Sequence, residues 1–212
     1  MIIRLGRNIA TQNLVPGQAV YGEDLIKRKG VEYRVWEPRR SKVGAALVKG
    51  MKFPLRENHL VLYLGVASGT TASHLSDMLT KGMLFGVDFA PRVLRDFVLL
   101  AETRSNLIPV FDTANKPEHY RWVVPQVDFI VQDVAQPNQA QILIKNARMF
   151  LKKNGHAFVA VKSRSIDVTA KPGDVFKQFK QEVKASGEFE ILEDIRLEPF
   201  ERDHMALLLR KK

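Results

Sequence analysis

The chain has 212 residues, with 33 Lys and Arg against 23 Asp and Glu, a net charge of +10 and a pI near 9.9. Its 45% apolar share suffices for one full domain with a small extra module, and its charges form no long single-signed run, which excludes a disordered charged tail. It has no cysteine, which removes disulfides, thiolate zinc sites and a cysteine nucleophile together, and its basic balance favours a polyanion such as RNA, with an acidic protein as the plainer alternative.

Residues 1–50 read as a small β-rich module, in which IIRLGRN, LVPGQAVYG and KRKGVEYRVWEPRRSK alternate short apolar pieces with Gly, Pro and charge. The opening MIIRLGRNIATQNL has no apolar stretch suited to a signal peptide, and no run approaches a membrane span. A cytoplasmic location with no membrane contact is therefore expected. Basic side chains gather late in the module, at Lys27, Arg28, Lys29, Arg34, Arg39, Arg40 and Lys42, with Tyr33 and Trp36 among them. That mix suits phosphate contact and base stacking, or else a solvated face with two core aromatics. Ser41 is a natural N-cap for a helix in SKVGAALVKG. Lys42 then sits in the first turn, where a cation opposes the helix dipole; a functional role or simple exposure explains it.

Residues 51–212 alternate strand and helix. HLVLYLG is a buried strand, GTTASHLSDMLTKG a helix closed by Gly82, MLFGVDF a strand, and APRVLRDFVLLAETR a helix with Pro91 in its first turn. LIPVFDTA and VDFIVQDVA are strands, PNQAQILIKNARMFLKKNG is an amphipathic helix ending before Gly155, HAFVAVKSRS is a strand, and DVFKQFKQEVKASG is a helix. FEILEDIRLEPFERDHMALLLRK closes the chain as two strands with no helix between them. The pattern predicts an α/β fold: a mostly parallel seven-stranded sheet with helices on both faces and an antiparallel C-terminal hairpin at its edge.

Chemistry is expected at the carboxyl edge of that sheet. Gly65 and Gly69 lie in the first strand-to-helix turn of LYLGVASGTTASH, where small residues admit a cofactor or merely make a tight turn. Asp88 ends the second strand, placed to accept hydrogen bonds from both ribose hydroxyls of a nucleoside, or to cap a helix. Asp112 ends the third strand and can face an adenine amino group or occupy a turn; Asp133 ends the fourth. The GxxxG spacing is not a pyrophosphate fingerprint, and acids suit a positive sulfonium, so S-adenosylmethionine is favoured over NAD. Lys162 lies late in an otherwise apolar strand and is expected to surface near Asp133, since a buried unpaired lysine is costly. His204 is a candidate ligand or a satisfied core histidine, and the remaining histidines show no metal spacing, so no metal is expected.

Taken together, VPGQAVYGE, YRVWEPRRSKVGAAL, LYLGVASGTTASHLSD and LEPFERDH resemble the fibrillarin family over essentially the whole chain. The Gly/Arg-rich N-terminal extension of the eukaryotic members is missing here, which points to the archaeal form. The resemblance implies a Rossmann-like methyltransferase domain behind a small N-terminal β module, using S-adenosylmethionine for ribose 2′-O-methylation of rRNA and tRNA. Besides the turn of Gly65, Ala67 and Gly69, already expected to meet the cofactor, it places cofactor contacts on Thr70 and Thr71, on Asp88 and Phe89, on Asp112 and Thr113, and on Asp133, Val134, Ala135 and Gln136. The family more often has Glu at the Asp88 position, which keeps the carboxylate, and Ala at the Thr113 position. Its proposed catalytic set falls on Lys42, Asp133, Lys162 and His204, with Asp133 orienting Lys162 and the methyl donor. Arg39, Arg40, Lys42 and Arg164 are the expected RNA contacts. The implied partners are a box C/D guide RNA, its rRNA or tRNA target, a Nop-domain scaffold protein and a kink-turn-binding ribosomal-type protein. Among rivals, an amino-directed base methyltransferase lacks its Asn/Asp-Pro-Pro-aromatic motif in DVAQPN, basic charge disfavours a small-molecule substrate, and the intact four-residue set stands against a non-catalytic RNA-binding subunit.

Overall fold

Four short strands open the chain in the computed structural model, which describes residues 2–6 and 8–212. They are β1 (Ile2–Leu5), β2 (Asn8–Gln12), β3 (Leu25–Arg28) and β4 (Val31–Trp36), paired antiparallel in the order β1-β2-β4-β3. Helix α1 (Lys42–Val48) follows, and Ser41 caps it: its Oγ accepts the Gly44 N–H at 3.0 Å.

The main sheet is then laid down as β5 (Leu60–Leu64), α2 (Thr70–Met78), β6 (Met83–Asp88), α3 (Pro91–Thr103), β7 (Leu107–Phe111), β8 (Val127–Gln132), α4 (Gln139–Phe150), β9 (Leu151–Lys162), α5 (Ser163–Ile166), α6 (Pro172–Ala185), β10 (Phe189–Arg196) and β11 (His204–Lys211). Its seven strands lie in the order β10-β11-β9-β8-β5-β6-β7, and only β11 runs against the rest. The expected mixed sheet with a terminal hairpin is the observed one. The chain builds outward from β5 to β7 and then returns to the other flank of β5 with β8. The carboxyl ends of β5 and β8 therefore form the switch point where open α/β sheets bind ligands.

Strand alternation divides the core between the two faces. Leu62, Leu64 and Ile130 pack with Ile142 and Leu143 of α4 and Phe176 and Phe179 of α6. Val61, Tyr63 and Phe129 pack with Leu75 of α2, Phe97 of α3 and Ile9 and Trp36 of the N-terminal sheet. No helix among the described residues is long and apolar enough to cross a membrane.

Three boundaries differ from expectation, one being HAFVAVKSRS, whose strand ends at Lys162 and whose last residues enter α5 (Ser163–Ile166). Helix α2 stops at Met78, short of Gly82. The fourth long helix does not run to Gly155 but ends at Phe150, and LKKNG already belongs to β9. The strand bulges there: the pairs Val127–Leu151 and Phe129–His156 are two residues apart on β8 and five on β9. Leu151 is buried as a strand residue, and the Lys211 ammonium donates to the Ala147 and Leu151 carbonyls at 2.7 Å, closing the helix from another strand. Two lysines before Asn-Gly look like a helix end in sequence, but here they make a turn inside a strand.

Candidate active site

The first turn is shaped by close backbone approach. Gly65 has φ +79, and a Cβ there would collide with the Asp133 carbonyl, so the ends of β5 and β8 touch only because this residue has no side chain. Gly69 has φ +90, and its Cβ would lie 2.7 Å from the Phe97 ring. Between them Ala67 is itself left-handed, φ +50, and its N–H donates to Asp88 Oδ2 at 2.9 Å. Asp88 Oδ1 accepts the Ala90 N–H at 3.0 Å. One carboxylate thus fastens the turn after β5 to the end of its own strand while keeping further lone pairs on both oxygens.

Gly65, Ala67, Asp88, Phe89, Asp133, Val134, Ala135 and Gln136 line a single cleft at the switch point, together with Val87 and Ala114, which were not singled out from sequence. Phe89 is 58% exposed there, a large aromatic open to solvent over more than half its surface. Gly69, Thr70, Thr71, Asp112 and Thr113 do not line this cleft. Thr70 borders a neighbouring polar cleft with Ser68, Tyr21 and Arg40. The Thr71 hydroxyl donates to Ser41 Oγ at 2.9 Å, joining the starts of α1 and α2. Asp112 Oδ1 accepts the Thr113 N–H at 2.7 Å and lies 3.2 Å from His119 Nδ1. Asn115 ties the loop after β7 to the loop after β8: its amide donates to Gln136 and accepts from Asn138.

From the cleft the reactive groups run outward as a chain. The Lys42 ammonium lies 3.0 Å from Asp133 Oδ2. Burial pulls the lysine pKa down, but the Asp133 carboxylate, with Glu201 beyond it, outweighs burial and holds it above the usual lysine value. Glu201 Oε2 stands 3.9 Å from His204 Nδ1. His204 of β11 is the direct antiparallel partner of Lys162 of β9. His204 Nδ1 lies 2.6 Å from the Arg202 carbonyl, which only accepts, so Nδ1 bears a hydrogen and the second ring nitrogen is Nε2. That Nε2 is buried with no partner. Lys162 is gripped through its backbone by buried Gln139, which accepts its N–H at 3.2 Å and donates to its carbonyl at 3.3 Å.

One expected pairing is corrected. Asp133 faces Lys42, and Lys162 pairs with no carboxylate among the described residues. The register explains it: Gln132 lies opposite Val159, so Lys162 overshoots the end of β8 and meets β11 instead. Glu201, 3.9 Å from His204 and acting on Lys42 through its charge, was missed because only the fold brings its loop beside α1, where Lys49 donates to the Glu198 carbonyl.

The basic cluster is also divided. Arg39 and Arg40 are exposed, Arg40 lying 5.3 Å over the Tyr21 ring, and Arg164 is exposed beside Asp203 at 3.0 Å. Arg34, Tyr33 and Trp36 are buried, so they offer no RNA surface. Arg34 pairs with Glu23 and Asp77, and Trp36 stacks on His74 at 4.5 Å. No metal-binding group of His, Asp and Glu occurs among the described residues.

A mostly parallel seven-stranded sheet with one reversed strand, and an acid closing β6 beside a glycine turn at the switch point, defines a methyltransferase-type Rossmann fold. The fibrillarin family model matches residues 2–212. The chain belongs to the fibrillarin family. It is 57% identical over 205 residues to the fibrillarin-like rRNA/tRNA 2′-O-methyltransferase of Thermococcus onnurineus, covering 96% of this chain and 90% of that one. Aeropyrum pernix fibrillarin, solved with natively bound S-adenosyl-L-methionine, superposes with a TM-score of 0.89 at 46% identity, covering 98% and 92% of the two chains. A fibrillarin solved in complex with Nop5p gives a TM-score of 0.93 at 39% identity, covering 100% and 97%.

Proposed function

We propose that this chain is the catalytic subunit of a box C/D ribonucleoprotein that methylates ribose 2′-oxygens of rRNA and tRNA from S-adenosylmethionine. The observation that carries the reading is the Lys42–Asp133 ion pair, 3.0 Å, at the rim of the cleft, with Lys162 and His204 as register partners at neighbouring strand ends of the same sheet edge. The cleft suits the methyl donor: Asp88 keeps lone pairs for ribose hydroxyls, the largely exposed Phe89 ring offers an apolar face to the nucleoside, and Asp133 lends negative charge to a sulfonium. When bound, that donor supplies a methyl group on positively charged sulfur. Asp112, Thr113, Thr70 and Thr71 join this reading through family resemblance and proximity to the cleft.

The chain's own residues would position and deprotonate the acceptor. Lys42 stays an ammonium because Asp133 holds it, so it orients ribose or phosphate and does not act as a base. His204, register partner of Lys162 at the same strand end, helps position the ribose or phosphate. Lys162, opposite it, would ease the passage of the 2′-hydroxyl proton to solvent while the oxygen takes up the donated methyl group. Arg39, Arg40 and Arg164 contact phosphates. The guide RNA, the Nop-domain scaffold, the kink-turn-binding protein, the division at residues 50 and 51, and a cytoplasmic location belong to the same proposal.

The test is single-turnover methylation by the assembled particle, beside equilibrium cofactor binding, for Lys162→Met. We expect near-normal binding and a rate lower by about 10²–10⁴-fold, the usual effect of losing a positioned acid–base group. A near-normal rate removes Lys162 from the catalytic set.

A further inference from the structure

The amino edge of the sheet, opposite the reactive groups, carries a second cavity of about 240 Å³. Arg56 and His59 enter it from the segment leading into β5, and Lys152, Lys153 and His156 from the bulge of β9. Asp128, at the start of β8, is the one carboxylate lining it. It is already engaged, with Oδ1 at 2.7 Å from the Lys152 ammonium and Oδ2 accepting the Leu60 N–H at 2.9 Å. Neither Arg56 nor Lys153 pairs with a carboxylate among the described residues. Arg210, opposite His156 across β9 and β11, adds a further cation, which Glu190 partly neutralises at 2.6 Å.

The two histidine rings register this surplus of positive charge. Burial lowers both pKa values first, and Arg56 lowers both further; His156 and Lys152 also act on His59, and Arg210 on His156, with Asp128 alone opposing them at His59. The Arg56 N–H approaches His59 Nδ1 at 3.4 Å, which makes Nδ1 the acceptor and leaves Nε2–H as a donor. A guanidinium fork, ammonium groups and a ring N–H meeting in one cavity suit an oxyanion with several acceptor oxygens, as a phosphate has.

We propose that this cavity is a second phosphate site, taking a backbone phosphate of RNA on the face of the molecule away from the catalytic edge. The choice of RNA as polymer rests on the proposed function, whereas the charge of the cavity does not. Arg56, Lys152, Lys153 and Asn154 are all exposed, so the cavity opens along a rim that a phosphodiester chain can cross. It would hold an RNA arm remote from the ribose being methylated.

The experiment follows the His59 and His156 ring signals of the full chain by NMR. One arm adds inorganic phosphate, another a short single-stranded RNA without guide motifs, and a third poly-glutamate. Phosphate and RNA are expected to move both rings. In the variant Arg56→Gln/Lys153→Gln the RNA response should weaken, and the log–log salt slope should fall by about 0.7 for each cation removed. Rings that move with phosphate but not RNA would make this a free-anion pocket and overturn the proposal. So would rings that respond to poly-glutamate at lower concentration than to RNA, or an RNA response unchanged in the variant. Cofactor binding should be unaltered in the variant. Failure of the catalytic reading appears separately, as absent methyl transfer by the wild-type particle.

Discussion

Lys42 and Lys162 carry the same ammonium, yet the fold gives them different surroundings. Lys42 is locked to Asp133 at 3.0 Å, while Lys162 faces His204 and has no carboxylate partner among the described residues. Asp88 works in two directions, holding the Ala67 and Ala90 N–H groups and facing the cleft. Its removal should loosen the turn and delete a charged acceptor at once. A hydrogen bond to a charged group contributes about 1.5–3 kcal/mol. Asp88→Ala should therefore bind S-adenosylmethionine roughly ten- to a hundredfold more weakly by calorimetry. Unchanged affinity would move the cofactor elsewhere. The strand-end acids and the glycine turn were legible in sequence because short strands ending in Gly or Asp leave few geometric options. The partner of Asp133 was not, since it depends on the register of β8 against β9 and on α1 arriving from another part of the chain.

At the scale of elements, the N-terminal sheet is riveted to α2 by buried charge. Asp77 accepts from Arg34 at 3.0 Å, from Arg104 at 2.6 Å and from the Thr11 hydroxyl at 2.7 Å, all fully or almost fully buried. Arg34 also donates to Ser73 Oγ at 2.8 Å, and Ser73 donates to the Thr70 carbonyl at 2.8 Å, so the network reaches the helix start beside the cofactor turn. His74 is held well below its usual pKa, first by burial and then by Arg34 and Arg104, and bonds Thr11 and Tyr21 as a neutral ring. Breaking such a buried pair on one side costs about 3–5 kcal/mol, or roughly 6–20 °C in Tm for a chain of this size. Asp77→Asn should show that loss by calorimetry or circular dichroism, and a Tm within a degree or two of wild type would refute this role for the network. Local pattern could not reveal it: a basic stretch with Tyr and Trp reads the same in solvent or in a core. What decides is an aspartate on α2, distant in sequence. The same limit applies to LKKNG, whose helix-end appearance is overridden by burial of Leu151 in the sheet.

Across the whole molecule, a net charge of +10 surrounds a sheet edge where the proposed catalytic groups and the exposed Arg39, Arg40 and Arg164 lie. RNA affinity should therefore fall steeply with salt. If Arg39 and Arg40 each contact a phosphate, replacing both with Ala should lower the log–log slope by about 0.7 for each arginine on a single strand. An unchanged slope and affinity would assign that surface to a protein partner. The central claim is that the chain methylates a ribose chosen by a guide. Its most direct test is mapping of the methylated product made by the assembled particle with two guides whose pairing is offset along one target. The predicted product is one 2′-O-methyl ribose per guide, displaced by the offset, with no methyl on any base. A methylated base, a position indifferent to the guide, or no transfer by a particle with cofactor bound would contradict it.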